Sequence, residues 1–212
     1  MEKIAVRGKD VKKVFTRRVI FEKINFELTN GDSLAIIGPN GSGKSTLVKI
    51  ISGVLSPTSG SVEIIVNGKA LKLEERYRVV GFVSPYLQLY DEFTGLENLR
   101  LCSRVRGLSN TAERMDQLLE QVNLFHRKND DVRTYSSGMK QRLKYAFALL
   151  HQPPLLILDE PSSNLDSEGI TAVHSIIERQ KQEGILILAT NDAKEMQLCN
   201  KVIDLNVLGC SA

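Results

Sequence analysis

The apolar run Ser33-Leu34-Ala35-Ile36-Ile37 passes without a gap into Gly38-Pro39-Asn40-Gly41-Ser42-Gly43-Lys44-Ser45-Thr46. A helix-period stretch carrying Leu47, Val48, Ile50 and Ile51 follows. A short strand that feeds a glycine-rich loop opening a helix admits few folds, and it predicts an α/β core. Gly38 to Ser45 fits G-x-x-x-x-G-K-[ST] in the strand–loop–helix context that this pattern needs. Glycines let successive N–H groups turn inward into an anion-binding concavity. The first turn of the helix adds its unpaired amides and positive dipole end. Lys44 supplies a compact cation for β/γ-phosphates, and the Ser45 hydroxyl is placed to ligate Mg²⁺. The stretch points to a nucleoside triphosphate site.

A second run, Leu155-Leu156-Ile157-Leu158, ends in Asp159-Glu160. Continuous apolar residues read as a parallel strand buried on both faces. Carboxylates at its C-terminal end emerge where α/β sheets bind ligands. Asp159 is the natural direct or second-layer partner of a Mg²⁺ on Ser45, and Glu160 can act as general base or orienter for an attacking water.

Around these two strands the chain reads as follows. Ile4, Val6, Ile24, Phe26 and Leu28 show the period-two pattern of half-buried strands. Phe15 lies in the basic run Lys12-Lys13-Val14-Phe15-Thr16-Arg17-Arg18, where it can stack on a purine or serve as an ordinary packing aromatic. Ser61–Val66 is a strand that ends at Asn67-Gly68, a hairpin signal; Val79–Val83 is another strand. From Thr94 to about Leu124 the pattern is helical, opened by Thr94 and Glu97 at capping-box spacing. Met115, Leu118, Leu119 and Val122 mark one buried face. Ile170, Val173 and Ile177 predict an amphipathic helix ending near Gly184. Ile185–Ala189 and Val202–Leu205 predict two further strands.

Composition excludes several classes. Lys and Arg number 28 against 25 Asp and Glu, a net charge of +3, too small to argue for a nucleic-acid surface, and no nucleic-acid partner is expected. No apolar run approaches a bilayer span, and the N-terminus is no signal peptide. The three cysteines, Cys102, Cys199 and Cys210, have no C-x-x-C spacing and read as reduced thiols in a cytosolic protein.

Two more stretches bring in a resemblance. Tyr135-Ser136-Ser137-Gly138-Met139-Lys140-Gln141-Arg142 opens a helix shortly before the carboxylate strand, and Pro161-Ser162-Ser163-Asn164-Leu165-Asp166 follows that strand directly. In this order the motifs resemble the ATP-binding subunit of ABC (ATP-binding cassette) transporters over essentially the whole chain. The resemblance implies a single domain over 1–212: a P-loop NTPase (RecA-like) core, an antiparallel β subdomain and a helical subdomain at about 94–150. It implies ATP and Mg²⁺ as ligands, with Gly38 to Ser45 as Walker A, Thr46 beside it in the nucleotide-binding set, and Leu155 to Asp159 as Walker B. Glu160 becomes the catalytic carboxylate and Phe15 the adenine-stacking aromatic. Ser136, Ser137 and Gly138 become the signature segment, which binds the γ-phosphate held by the opposite subunit of a homodimer. Asp166 belongs to the D-loop, expected to cross the dimer interface.

Departures from the family pattern carry expectations of their own. Tyr135, Ser137 and Met139 replace usual signature residues, and Asn164 replaces the D-loop alanine. Pro85 stands where a glutamine is usual, with Gln88 three residues on as a possible substitute. Asn191 stands where the switch histidine is expected; its amide can donate but is never cationic. Losing one positioned donor costs on the order of 10²–10³ in rate, so slow hydrolysis is expected. The apolar loop Pro85–Tyr90 with Phe93 reads as a docking surface for a separate transmembrane permease. The implied location is peripheral, at the cytoplasmic face of the membrane. Ending soon after its last strand, the chain is similar to exporter-type cassettes, including the haem-exporter ATPase and the ABC-2 group. A soluble, non-transport ABC ATPase in assembly or repair, or an ATP-gated scaffold, is the rival expectation.

Overall fold

The computed structural model describes residues 2–206, so Cys210 lies outside the described residues. Its centre is a five-stranded sheet, ordered β6-β7-β8-β3-β9. These strands are β3 (Ser33–Ile37), β6 (Val80–Val83), β7 (Leu155–Asp159), β8 (Ile185–Ala189) and β9 (Lys201–Asp204), and their pairings are parallel. A four-stranded antiparallel sheet, ordered β2-β1-β4-β5, packs beside it. It comprises β1 (Ile4–Phe15), β2 (Arg18–Thr29), β4 (Ser59–Val66) and β5 (Lys69–Ala70). Asn67 and Gly68 turn β4 into β5 with φ of +50° and +82°, the twist an Asn-Gly hairpin supplies.

The central strands are apolar throughout because both faces are covered. Leu155, Ile157, Ile185 and Ile187 pack into one cluster with Leu34, Ile36, Leu47 and Ile51. The alternating Leu156, Leu158, Leu186 and Leu188 pack into a second, with Leu143, Tyr145, Val173 and Ile177. Each such buried side chain contributes roughly 1.5–3 kcal/mol of transfer free energy.

The helices are α1 (Lys44–Ser52), α2 (Gly95–Val105), α3 (Ala112–Gln121), α4 (Ser137–Leu149), α5 (Ser167–Glu183) and α6 (Ala193–Met196). Thr94 and Glu97 form the capping box of α2: Glu97 N–H donates to Thr94 Oγ1 at 3.1 Å, and Thr94 N–H to Glu97 Oε2 at 2.8 Å. Leu99, Cys102, Met115, Leu118 and Leu119 bury the inner faces of α2 and α3 in the cluster under α4. Along α5 the buried face runs through Ala172, Val173, Ile176 and Ile177, while Ile170 is 39% exposed. The expected position of Ile170 on that face is therefore corrected. In the first turn the buried position is taken by Gly169, which leaves Ile170 at the margin of the face. Among the described residues, Cys102 and Cys199 are free thiols.

Candidate nucleotide site

Between β3 and α1 the loop turns on Gly38, Gly41 and Gly43, with φ of +145°, +82° and +104°. Gly43 must lack a side chain for a second reason: a Cβ there would lie 2.5 Å from Ile20 Cγ2. Strand β2 presses directly on the loop at this point. Gly43 caps α1 without a side-chain bond, so the first-turn amides keep their anion-binding capacity. Lys44 is folded back over the loop, its Nζ donating to the Gly38 carbonyl at 2.8 Å and the Pro39 carbonyl at 3.2 Å. Burial pushes its pKa down, opposed by the Glu160 and Asp159 carboxylates.

Ser45 and Asp159 are 114 residues apart in sequence, yet Ser45 Oγ donates to Asp159 Oδ1 at 3.0 Å. Asp159 is wholly buried, and its Oδ2 has no partner among the described residues. Burial raises its pKa above the ordinary carboxylate value, with the Ser45 bond working against the rise. A buried, half-satisfied carboxylate beside a hydroxyl fits a hard divalent cation. No cluster of three or more His, Cys, Asp or Glu occurs among the described residues. Glu160 turns the chain out of β7 at φ +53°, donates its N–H to the Ala189 carbonyl at 2.9 Å and leaves its side chain exposed.

Asn191 sits between β8 and α6 and reaches the loop: its Nδ2 donates to Asn40 Oδ1 at 2.5 Å. Glu195, absent from the sequence reading, holds this segment in place. It is 5% exposed; its Oε1 accepts from Ser162 N–H at 3.2 Å, and its Oε2 accepts from the Thr190 hydroxyl. Thr190 Oγ1 in turn accepts from Asp192 N–H at 2.9 Å. The fully buried Tyr145 of α4 donates its hydroxyl to the Pro161 carbonyl at 2.7 Å. A buried polar network of this kind fixes three loops relative to one another when all its members are satisfied.

After β6, residues Ser84 to Leu87 form a β-turn closed by Leu87 N–H on the Ser84 carbonyl at 3.1 Å. Pro85 takes the second position, which its fixed φ favours. Its carbonyl accepts from Lys144 Nζ at 3.0 Å, and Lys49 Nζ lies 4.6 Å from the centre of the Tyr86 ring. Gln88 is exposed and makes no side-chain hydrogen bond among the described residues. The structure does not join it to Ser45 or Asp159. Tyr86, Tyr90 and Phe93 are exposed, so they are not absorbed into the helical subdomain.

Ser136 caps α4, its Oγ accepting from Met139 N–H at 3.2 Å. Ser136 and Ser137 are exposed, whereas Gly138 is buried, and a Cβ on it would come within 3.1 Å of the Asn164 carbonyl. Tyr135 is an anchor: it is 6% exposed, and its hydroxyl donates to the Arg127 carbonyl at 2.7 Å. Asp166 caps α5 through Gly169 N–H at 2.8 Å, and Arg142 lies 3.7 Å from its other oxygen. Phe15 ends β1 at the tip of the β1–β2 hairpin and is 44% exposed.

A parallel core strand, glycine loop and capped helix, with a serine bonded to the aspartate of a second strand, define a P-loop NTPase. The particular family follows from comparison with known proteins. Residues 21–163 match the model described as ABC transporter. An uncharacterized ABC transporter ATP-binding protein of Bacillus subtilis (strain 168), YdbJ, is 38% identical over 201 residues, covering 93% of this chain and 64% of that protein. The lantibiotic transport ATP-binding protein SrtF of Streptococcus pyogenes is 37% identical over 182 residues, covering 86% and 77%. A solved ATP-binding subunit of an ABC transporter superposes with TM-score 0.83 at 33% identity, covering 94% of this chain and 85% of that one. A dimeric ATP-binding cassette in a post-hydrolysis state, bound to ADP and Pi, superposes at 0.81 with 25% identity over 94% and 93%. The chain belongs to the ABC transporter family of ATP-binding proteins. It spans 64% and 65% of the length of the first two relatives it matches.

Proposed function

We propose that this chain binds and hydrolyses ATP and, by ATP-dependent pairing with a second copy, drives a separate membrane permease of exporter type. The observation that carries the reading is the Ser45–Asp159 bond at the mouth of the glycine loop, with Glu160 next in the chain. Among the described residues no helix is long and apolar enough to cross a membrane, so a transport role calls for a partner that does. The names of relatives point the same way: one is a lantibiotic transport protein and another, 35% identical over 199 residues, is a Nod factor export protein.

The chemistry follows from the residues present. The first-turn amides of α1 receive the phosphates, and Lys44 Nζ exchanges the Gly38 and Pro39 carbonyls for phosphate oxygens. Ser45 and Asp159 would hold Mg²⁺, which supplies charge neutralisation across the β- and γ-phosphates. Glu160 orients the attacking water and accepts its proton. Asn191 offers one neutral donor toward the γ-phosphate. The exposed Ser136 and Ser137, with the amides at the start of α4, close the site from the opposite copy. Two identical sites form about a two-fold axis. Because Asn191 is never cationic and Pro85 brings no side-chain amide, turnover is slow. Tyr86, Tyr90 and Phe93 form the exposed face offered to the permease.

The test is Glu160→Gln, which keeps the size of the side chain but accepts no proton. With ATP and Mg²⁺ this variant runs as a dimer on size exclusion, and without nucleotide as a monomer. A variant that binds ATP yet stays monomeric overturns the pairing. Isolation from membranes without any polytopic partner would overturn the transport role and favour a soluble ATPase.

A further inference from the structure

We infer that Lys13 sets the stacking platform for the nucleotide base by clamping Phe15 from one face. The inference rests on the proposal that ATP is bound with its base on Phe15. Lys13 and Phe15 lie two apart near the end of β1, so a strand directs both side chains to the same side. Lys13 Nζ stands 4.7 Å from the centre of the Phe15 ring, within cation–π range. The same Nζ donates to the Ser56 carbonyl at 2.8 Å, in the connection from α1 to β4. The ammonium is thus tied on one side to a fixed backbone oxygen and on the other to the ring.

The neighbourhood keeps this arrangement from drifting. Val14 N–H donates to Thr58 Oγ1 at 3.0 Å, and Thr58 N–H to the Lys12 carbonyl at 2.8 Å, so the end of β1 is bonded to the 56–58 connection. The neighbouring Lys12 is engaged elsewhere, 2.7 Å from Glu22. On the other strand of the hairpin, Ile20 presses on Gly43, which ties the hairpin to the phosphate loop. Phe15 therefore has one face under a cation and is 44% exposed, which leaves the face away from Lys13 as the open one that a base would take, with the ring held relative to the phosphate loop. A base that stacks on the open face meets a ring whose orientation is already set, so less ordering is lost on binding. The cation draws π-density toward itself, which favours an electron-rich purine opposite.

The experiment compares affinity of the full chain for ATP and for inorganic tripolyphosphate, both with Mg²⁺, in wild type, Lys13→Ala, Lys13→Arg and Phe15→Ala. The expected result for Lys13→Ala is ATP affinity lowered about 2- to 5-fold, the worth of an exposed cation–π contact. Its tripolyphosphate affinity stays unchanged, which also shows the loop intact, and Lys13→Arg keeps most of the ATP affinity. Phe15→Ala loses about tenfold for ATP alone, the scale of one base–aromatic stack. Equal losses for both ligands in Lys13→Ala would mean that Lys13 touches phosphate, and the inference falls. No loss in Lys13→Ala, with a loss in Phe15→Ala, overturns the clamp but leaves the stacking reading intact. No loss in Phe15→Ala overturns both.

Discussion

The phosphate-loop half and the signature half of this molecule are finished to different degrees. Around Gly38–Ser45, donors and acceptors already meet within the chain: Lys44 is spanned by two carbonyls, Ser45 holds Asp159, and Asn191 reaches Asn40. Beside Ser136–Gly138 the chain is anchored by the Tyr135 hydroxyl on the Arg127 carbonyl, and Gly138 packs close to Asn164, yet Ser136 and Ser137 are exposed. One half is a cradle bonded across the chain, and the other is an exposed helix start whose one side-chain bond is the Ser136 cap on Met139. A helix N-terminus held that firmly and left that open is suited to complete somebody else's site. Under the proposed pairing, a second copy of the same chain supplies the phosphate loop that these donors would meet.

The contrast is broken most severely by complementation. Lys44→Ala removes the cation from the cradle, and Ser137→Asp sets a negative charge where the γ-phosphate of the other copy should approach. Either variant alone loses on the order of 10²–10³ in ATPase rate. Mixed in equal amounts, they recover about a quarter of the wild-type rate, because half of the dimers are mixed and each carries one intact site. A site built within one chain gives no recovery on mixing, so the absence of any gain removes the two-copy arrangement.

Next in size is Asn191→His. The loop that holds residue 191 is fixed by Thr190, Glu195 and Ser162, so a histidine there points where the asparagine does. Its imidazole adds a positive charge or proton-relay capacity that an amide lacks, and the ATPase rate rises roughly 10- to 100-fold. A rate that stays flat on this substitution would place the slow step elsewhere, with the Pro85 turn as the remaining candidate.

The two halves were also unequally legible in the sequence. The cradle is a local object: strand, glycines, lysine and helix are contiguous, so spacing alone places them. The hairpin at Asn67-Gly68 and the capping box at Thr94 are local in the same way. Strand order was not readable, since β8 lies between β3 and β7 and the Ser45–Asp159 bond crosses that gap. Glu195 escaped notice for the same reason. Its two partners come from different loops, and only the β7–β8 pairing brings Ser162 to it. Nothing in the sequence told a buried carboxylate at this position from a solvated one. Lys13 and Phe15 read as part of a basic loop in the sequence, whereas the structure carries β1 through both and brings them into contact. The tie of Lys13 to Ser56 depends on the fold and was not readable.

The smallest effect sharpens the difference through stability. Asp159 is buried with one oxygen unpartnered, and its pKa is raised chiefly by that burial. A carboxyl whose pKa is higher folded than unfolded stabilises the fold below its unfolded pKa, and that contribution is lost as pH rises through the folded value. At neutral pH the ionised Asp159 is therefore a cost to the fold. Asp159→Asn keeps an oxygen for the Ser45 hydroxyl and never ionises, so at pH 7 without nucleotide it melts higher than the wild type. The gap closes as pH falls below the ordinary aspartate range, where the wild-type carboxyl is protonated too. With ATP and Mg²⁺ the order reverses, since only the carboxylate gains from the cation. Ser136 and Ser137 carry no ionisable group, and Ser137→Ala shifts the melting temperature by the same amount at every pH. An Asp159→Asn variant that melts lower at pH 7, or whose gap does not change with pH, would show that the cradle carries no such electrostatic cost.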